Sequence, residues 1–367
     1  MGLGASIGAV PSPASRISAA ALGLVELASG VDALYLSGRG TLPATLLDRL
    51  EVARLVATDS GNAQPFAMGG YDWSLQPFGL LKYRYRLEHP AAVVGLTASE
   101  HLPPVRVQAR AEALHSVGAA GVVAWVRGWL VNEGAPVVLS VSRIDLHSDW
   151  QGWYPTGDDR HRFVCRAEAL ATYETNGELS GFSFGNRKTG SMTARIYDKT
   201  NEIAGNGHDW WITLWGDRFD PDRPVIRVEF EFSRDLLREM GLSDPDDVLA
   251  CVGGLWAYAA QWLSYRDPSE HHEPSRWPLS PQWIAIQQSS LDDGSLPRAR
   301  IDADRAKGGL RLLMPLLNGC VASFAALIGV NTIADACHRL PVYLLSYETT
   351  SGRPFADRVA EKIAARK

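Results

Sequence analysis

Three segments of this chain alternate charged and apolar residues with a period of two. They are Arg143-Ile144-Asp145-Leu146-His147, Arg195-Ile196-Tyr197-Asp198-Lys199 and Arg227-Val228-Glu229-Phe230-Glu231-Phe232. A strand places residues i, i+2 and i+4 on one face. The first strand therefore gathers Arg143, Asp145, His147 and Asp149, the second Arg195, Tyr197 and Lys199, and the third Arg227, Glu229 and Glu231. The other faces carry Ile144, Leu146, Ile196, Val228, Phe230 and Phe232. A strand with one core side must solvate, pair or metal-bind the carboxylates and guanidiniums of its other side. These segments constrain the fold to an antiparallel sheet with one chemically loaded face.

The rest of the chain fits an α+β class, a central antiparallel sheet flanked by helices with a smaller helical C-terminal region. Its 367 residues suggest two domains or three. Val31–Ser37 reads as a strand and Pro43–Ala57 as an amphipathic helix. Between Ser60 and Pro104 several short aromatic and valine-rich runs read as strands with turns. Ala109–Leu130 reads as one helix interrupted near Gly118–Gly121, and Asp158–Glu174 as wholly or partly helical. Residues 1–30 read as a weakly ordered leader or a helix through Ala19–Ala28, 31–285 as the main domain and 286–367 as the helical region. Within this plan the polar, proline-rich stretch 265–285 is expected to be a linker or an extended arm.

Neither the N-terminal apolar stretch nor Cys320–Val330 is suited to span a membrane. The cysteines Cys165, Cys251, Cys320 and Cys337 form no CxxC knuckle and read as buried thiols. A cytoplasmic protein with no membrane partner is expected. A formal net charge of −5 excludes a histone-like coat but leaves room for a local basic channel.

On the loaded face, Asp145 and Glu229, with Glu231 or His147, are candidate ligands for Mg2+ or Mn2+. Tyr197 would stand between Arg195 and Lys199, cations that favour a phenolate and the charge developing on a phosphate. A tyrosine so placed attacks a phosphodiester and holds the strand covalently. The same alternation also describes a half-exposed sheet with cross-strand Arg–Glu pairs. Tyr173, in Ala171–Glu174, competes as nucleophile but lacks the flanking cations; Tyr154 and Tyr265 are further candidates.

The order of these segments resembles the replication initiation factor family of rolling-circle initiators. The carriers are Arg143-Ile144-Asp145, then Phe184-Gly185-Asn186-Arg187-Lys188-Thr189-Gly190, then Arg195-Ile196-Tyr197-Asp198-Lys199 with Glu202, then Arg227-Val228-Glu229. They match an RxD strand, a basic turn, an RxYDKxxE strand and an RxE strand, over roughly residues 31–290. Asn186 and Thr189 stand where serine is common. The resemblance implies a Rep nickase-like fold and a metal-dependent, site-specific endonuclease. Such a protein nicks one strand of an origin through Tyr197, keeps a 5′-phosphotyrosine link and later rejoins the strand. It further implies Asp145 and Glu229 as acidic metal positions, and Arg195 and Lys199 as stabilisers of the phosphorane-like state. Arg187 and Lys188, with Arg143 and Arg227, would contact DNA, either an origin hairpin or a single strand. A homodimer and a host helicase are implied partners.

Two other functions remain open on the sequence: an inactive DNA-binding relative of such initiators, and a metal-dependent hydrolase unrelated to nicking. The run Arg298, Arg300, Arg305, Lys307 and Arg311 fits phosphates, a solvated linker or an interface equally.

Overall fold

The protein is described here by a computed structural model, for residues 19–175, 177–186, 191–291, 317–318, 320–350 and 354–364. Strand β1 (Val25–Gly40) leads through helix α1 (Ala44–Ser60) into an up-and-down run. That run is β2 (Gln64–Met68), β3 (Tyr71–Leu75), β4 (Tyr85–His89), β5 (Ala92–Leu96) and β6 (Val105–Ala109). Helices α2 (Ala111–Ser116) and α3 (Gly118–Asn132) connect it to β7 (Val137–Gln151). Next come β8 (Phe163–Cys165), β9 (Leu170–Thr175), β10 (Glu178–Phe184) and β11 (Met192–Asp198). Helices α4 (Lys199–Asn206) and α5 (Trp210–Trp215) precede β12 (Ile226–Ser233). Then α6 (Arg234–Glu239), α7 (Pro245–Ala250), α8 (Val252–Trp262), β13 (Leu263–Tyr265) and α9 (Pro281–Gln287) follow.

Eleven strands form one antiparallel sheet in the order β2-β3-β4-β5-β6-β1-β7-β12-β11-β10-β9. The chain divides into two compact units near residue 297. The second unit contains helices Ile333–Thr350 and Phe355–Ala364. No helix among the described residues is long and apolar enough to cross a membrane.

One face of the sheet is a conventional core. Leu36, Leu75, Leu87, Val94, Val107, Ile144, Leu146, Ile196, Val228, Phe230 and Phe232 are all fully buried. Helix α3 closes this face at the first half, where Trp129 meets Trp73 edge to face at 5.8 Å. Helix α8 closes it at the second half through Trp256 against Phe230. The alternation read from the sequence is this face seen strand by strand.

Several segments depart from the sequence expectations. Residues 25–30 belong to the long strand β1 rather than to a leader or a helix through Ala28; only Ala19–Leu22 makes a helical turn. Val25, Leu27 and Ala28 supply apolar surface for a second, smaller core, so extended pairing wins over the helix propensity of the alanines. Asp158–Glu174 holds a short 3-10 turn at Gly157–Arg162 and then strands β8 and β9. The stretch 265–285 is no linker: Trp277 and Trp283 are buried, and the Trp283 indole N–H donates to the Ala260 carbonyl at 3.0 Å. Cys320 and Cys337 are exposed rather than buried. The helix interruption falls where expected, at Gly118, whose φ of +77° suits glycine.

Candidate active site and metal centre

Strand pairing assembles the loaded face. Arg195 on β11 stands opposite Glu229 on β12, which stands opposite His147 on β7, which stands opposite Gly30 on β1. One step along, Tyr197 faces Arg227 and Arg227 faces Asp149; one step the other way, Glu231 faces Asp145. Sequence alternation thus becomes a two-dimensional array of ionisable groups.

The array is buried. Asp145, His147, Asp149, Arg227 and Glu229 are each at most 1% exposed, because a second apolar layer covers this face too. That layer is Leu27, Ile203, Trp211, Trp215 and Val225, with Trp210 and Phe219 at its rim. Buried charge must be paired, and here it is. The Arg227 guanidinium grips Asp149 through two bonds of 2.7 and 2.8 Å and donates to Asp32 at 2.7 Å. It also lies over the Trp211 ring, 4.0 Å from its centre, and the Trp215 indole donates to Asp149 at 2.9 Å. Burial works to raise the Asp149 pKa, but Arg227 and then His147 overcome it and hold the carboxyl far below its usual range. Burial likewise opposes ionisation of Asp32, and Arg227, His147 and Lys199 together leave it lowered.

Asp32, His115 and His147 each offer one ligand atom, all within 4.8 Å of one another. His147 and His115 face each other Nε2 to Nε2 at 3.2 Å. Two nitrogens bound tetrahedrally to a zinc-sized ion would lie roughly 3.3 Å apart, from bond lengths of about 2.0–2.1 Å. His147 Nδ1 rests on Asp149 at 3.2 Å, the carboxylate backing that orients a metal-binding imidazole. Burial, helped by His147, pulls His115 down to about 3, so it is neutral and a competent ligand at neutral pH. The donor set fits a divalent ion.

This group includes only one of the expected ligands, His147. Asp145, Glu229 and Glu231 lie on the same face, but their oxygens are engaged elsewhere. Arg143 binds Asp145 through two nitrogens and reaches Glu231 at 2.9 Å; Arg195 binds Glu229. Burial, opposed by Arg143 and reinforced by Glu229, pushes the Asp145 carboxyl up to about 7. Two histidines meet here from separate elements, His115 of a helix and His147 of a strand. Asp32 and His115 escaped the sequence reading because nothing in the local pattern of either segment marks them as neighbours.

Tyr197 donates to Glu229 Oε2 at 3.1 Å. Arg195 lies 5.7 Å and Lys199 5.9 Å from the centre of its ring. Arg195 does pull toward the phenolate, as expected, but it is outweighed. Burial, and then the Glu229 carboxylate, push the phenol well above its ordinary pKa against the pull of Arg227 and Arg195. Lys199 is itself lowered, by burial and by Arg227, and is tied to Glu202.

A cleft of about 720 Å³ opens beside these groups, lined among others by Asp32, Tyr173, Arg195, Tyr197, Lys199 and Glu202. Tyr173 on β9 and Tyr197 on β11 flank Gly181 on β10. A Cβ at Gly181 would stand 2.8 Å from the Tyr197 Cβ, so the glycine leaves the cleft wall open. Tyr154 and Tyr265 do not line the cleft. Arg227 is fully enclosed and has no surface to offer a phosphate, which corrects its expected role as a DNA contact. Arg143 is committed to Asp145 and Glu231. Arg187 and Lys188, like the run from Arg298 to Arg311, lie outside the described residues.

No protein-family model and no curated protein matches the chain. Among solved structures it is similar to a rolling circle replication initiator protein from Geobacillus stearothermophilus. The two are 14% identical with a TM-score of 0.42, over 72% of this chain and 96% of that one. A likeness so remote fixes neither an activity nor the role of any residue.

Proposed function

We propose that this chain is a metal-dependent nicking and closing enzyme for single-stranded DNA, acting through Tyr197. The observation that carries the reading is the Tyr197 hydroxyl, held at a cleft wall with its proton directed at Glu229 Oε2, 3.1 Å away. A phenol with a raised pKa needs a base at the moment of attack, and Glu229 is placed to be that base. In the forward step the Tyr197 oxygen attacks phosphorus, its proton passes to Glu229, and the P–O3′ bond breaks. The 3′ oxygen leaves with a proton from solvent, and the 5′ phosphate stays on the tyrosine. Closing is the reverse transesterification.

Asp32, His115 and His147 would hold the ion, which supplies Lewis-acid polarisation of a phosphoryl oxygen. Two imidazoles and one carboxylate suit Mn2+ or another first-row ion better than Mg2+, which prefers oxygen donors. Arg195 and Lys199, both on the cleft wall, favour an anionic substrate there. The order of motifs in the sequence supports the same assignment.

The test is covalent trapping on a labelled single strand with Mn2+. The native protein is expected to form an adduct that maps to Tyr197, vanishes in Tyr197→Phe and vanishes with chelator. An adduct on Tyr173, or none at all with substrates carrying the cognate origin, would overturn the assignment.

A further inference from the structure

Arg39 and Arg106 of the first half of this sheet face, with Arg234 and Arg238 of α6, form an arginine group that the cleft chemistry does not use. Arg106 on β6 stands opposite Ser37 on β1, and Arg39 lies two residues further along the same face of β1. Arg234 opens α6 directly after β12, and Arg238 follows one helical turn later. Arg39 and Arg238 are exposed, and Arg106 and Arg234 are half-buried. Among the described residues none of the four has a carboxylate within ion-pair distance. Elsewhere in this unit arginines pair readily, as Arg84 does with Glu51 and Arg127 with Asp246. Gathering like charges without counter-ions costs free energy unless an anion is expected. Burial and the neighbouring Arg238, Arg39 and Arg106 all lower Arg234, which places the four within one electrostatic field.

An aromatic bridge joins this group to the cleft. The Arg106 and Arg143 guanidiniums both lie against the Tyr35 ring, at 5.4 and 5.0 Å. Arg143 in turn holds Asp145 and Glu231, beside Glu229 and Tyr197. From β11 to β6 is four strand spacings, roughly 19 Å at about 4.8 Å each. Arg106, Tyr35 and Arg143 at one end and Arg195 with Tyr197 at the other, their intervening carboxylates paired to arginines, supply the cations and rings of a single-strand track, in which phosphates meet arginines and bases stack.

We propose that Arg39, Arg106, Arg234 and Arg238 bind the phosphates of the DNA strand flanking the scissile position, with Tyr35 as a stacking platform. The assignment rests on the nicking reading above but is tested separately, by affinity rather than by adduct. The probe is a fluorescent oligothymidylate of about 20 nucleotides, long enough to fill such a track. Binding is followed by anisotropy as a function of salt, without metal. Arg39→Gln/Arg238→Gln removes two exposed charges that no fold contact uses. It is expected to weaken binding about tenfold near 0.1 M salt and to lower the salt slope by about 1.4, at roughly 0.7 per phosphate on a single strand. Tyr35→Leu is expected to weaken binding while leaving the slope unchanged. Unchanged affinity and slope in the double variant would overturn the track, even if the Tyr197 adduct forms. Preference of the native chain for anionic lipid vesicles over the oligonucleotide would also overturn it. Loss of the adduct with the slope change intact would instead remove the nicking reading and keep the track.

Discussion

The two halves of the sheet follow one plan and differ in what they do with charge. β1 and β7 lie side by side at the centre, and each returns through a meander to pair with its own last strand, β6 with β1 and β12 with β7. In the first half, β1 apart, the charged residues stay at least partly exposed. Glu51 meets Arg84, Arg54 and Tyr85, and Glu88 meets Arg86 and Arg110, with side chains about a fifth to a half exposed. In the second half Arg227, Asp149 and His147 are fully enclosed beneath Trp211 and Trp215. The strand architecture is common to both, so it is the tryptophan cover that turns surface charge into a site. Water screens the first set and leaves it worth little singly. Exclusion of water from the second leaves every charge dependent on its partner.

Removing one buried partner has the largest expected effect. Asp149→Ala would leave the Arg227 guanidinium enclosed with only Asp32, and is expected to destabilise the domain by about 3–5 kcal/mol in urea unfolding. A cost under about 1 kcal/mol would mean that the second half tolerates unpaired charge as the first does, and the contrast would fail.

The metal group comes next. His115→Ala is expected to weaken Mn2+ or Zn2+ binding at least about 100-fold by calorimetry, since backing residues alone carry 10–100-fold. The Tyr197–Glu229 contact does not involve His115, so metal-free stability should change far less than in Asp149→Ala. If His147→Ala weakens metal binding and His115→Ala does not, the ion is not shared between the two imidazoles. Smaller again is Gly181→Val. Its side chain would press on the Tyr197 Cβ and the Ile196 carbonyl, both under 3 Å from the new Cβ. A cost of about 1–3 kcal/mol and a slower adduct at Tyr197 are expected.

How much of this was legible beforehand follows the same divide between local and assembled features. Period-two alternation marks Arg143, Asp145, Tyr197 and Glu229 as sharing a face, because that pattern is local to each strand. The contact between Tyr197 and Glu229 needs in addition the pairing of β11 with β12, which sets Glu229 opposite Arg195 and one step from Tyr197. Asp32 and His115 were not. One sits in an apolar strand and the other near the end of a short helix, and only the pairing of β1 with β7 and the seating of α2 bring them to His147. A lone carboxylate in the run Val31–Leu36 was the available signal for Asp32, since such a residue must find a partner when its strand is buried. The misread stretch 265–285 shows the opposite error, with proline and charge masking two tryptophans that anchor it to the domain.

The smallest predicted effect tests the first half on its own terms. Arg84 first, then Arg54, hold the Glu51 carboxyl well below its ordinary value, against a small desolvation cost. A depressed carboxylate contributes stability that is complete above its unfolded pKa and is lost as pH falls towards the folded one. The contribution of Glu51 is therefore intact above about pH 5 and fades below it. Because Glu51 and Arg84 are a third to a half exposed, salt screens most of it. Asp149 is depressed in the same direction, but its partners are sealed from the ions that screen Glu51. Glu51→Gln should thus cost under about 1 kcal/mol at pH 7, and less again in 0.5 M salt, where the Debye length is only about 4 Å. The acid limb left in Glu51→Gln should persist in high salt, because it belongs to the buried network. Acid unfolding that salt abolishes in the native chain and in Glu51→Gln alike would place the stabilising charges at the surface and reverse the contrast between the halves.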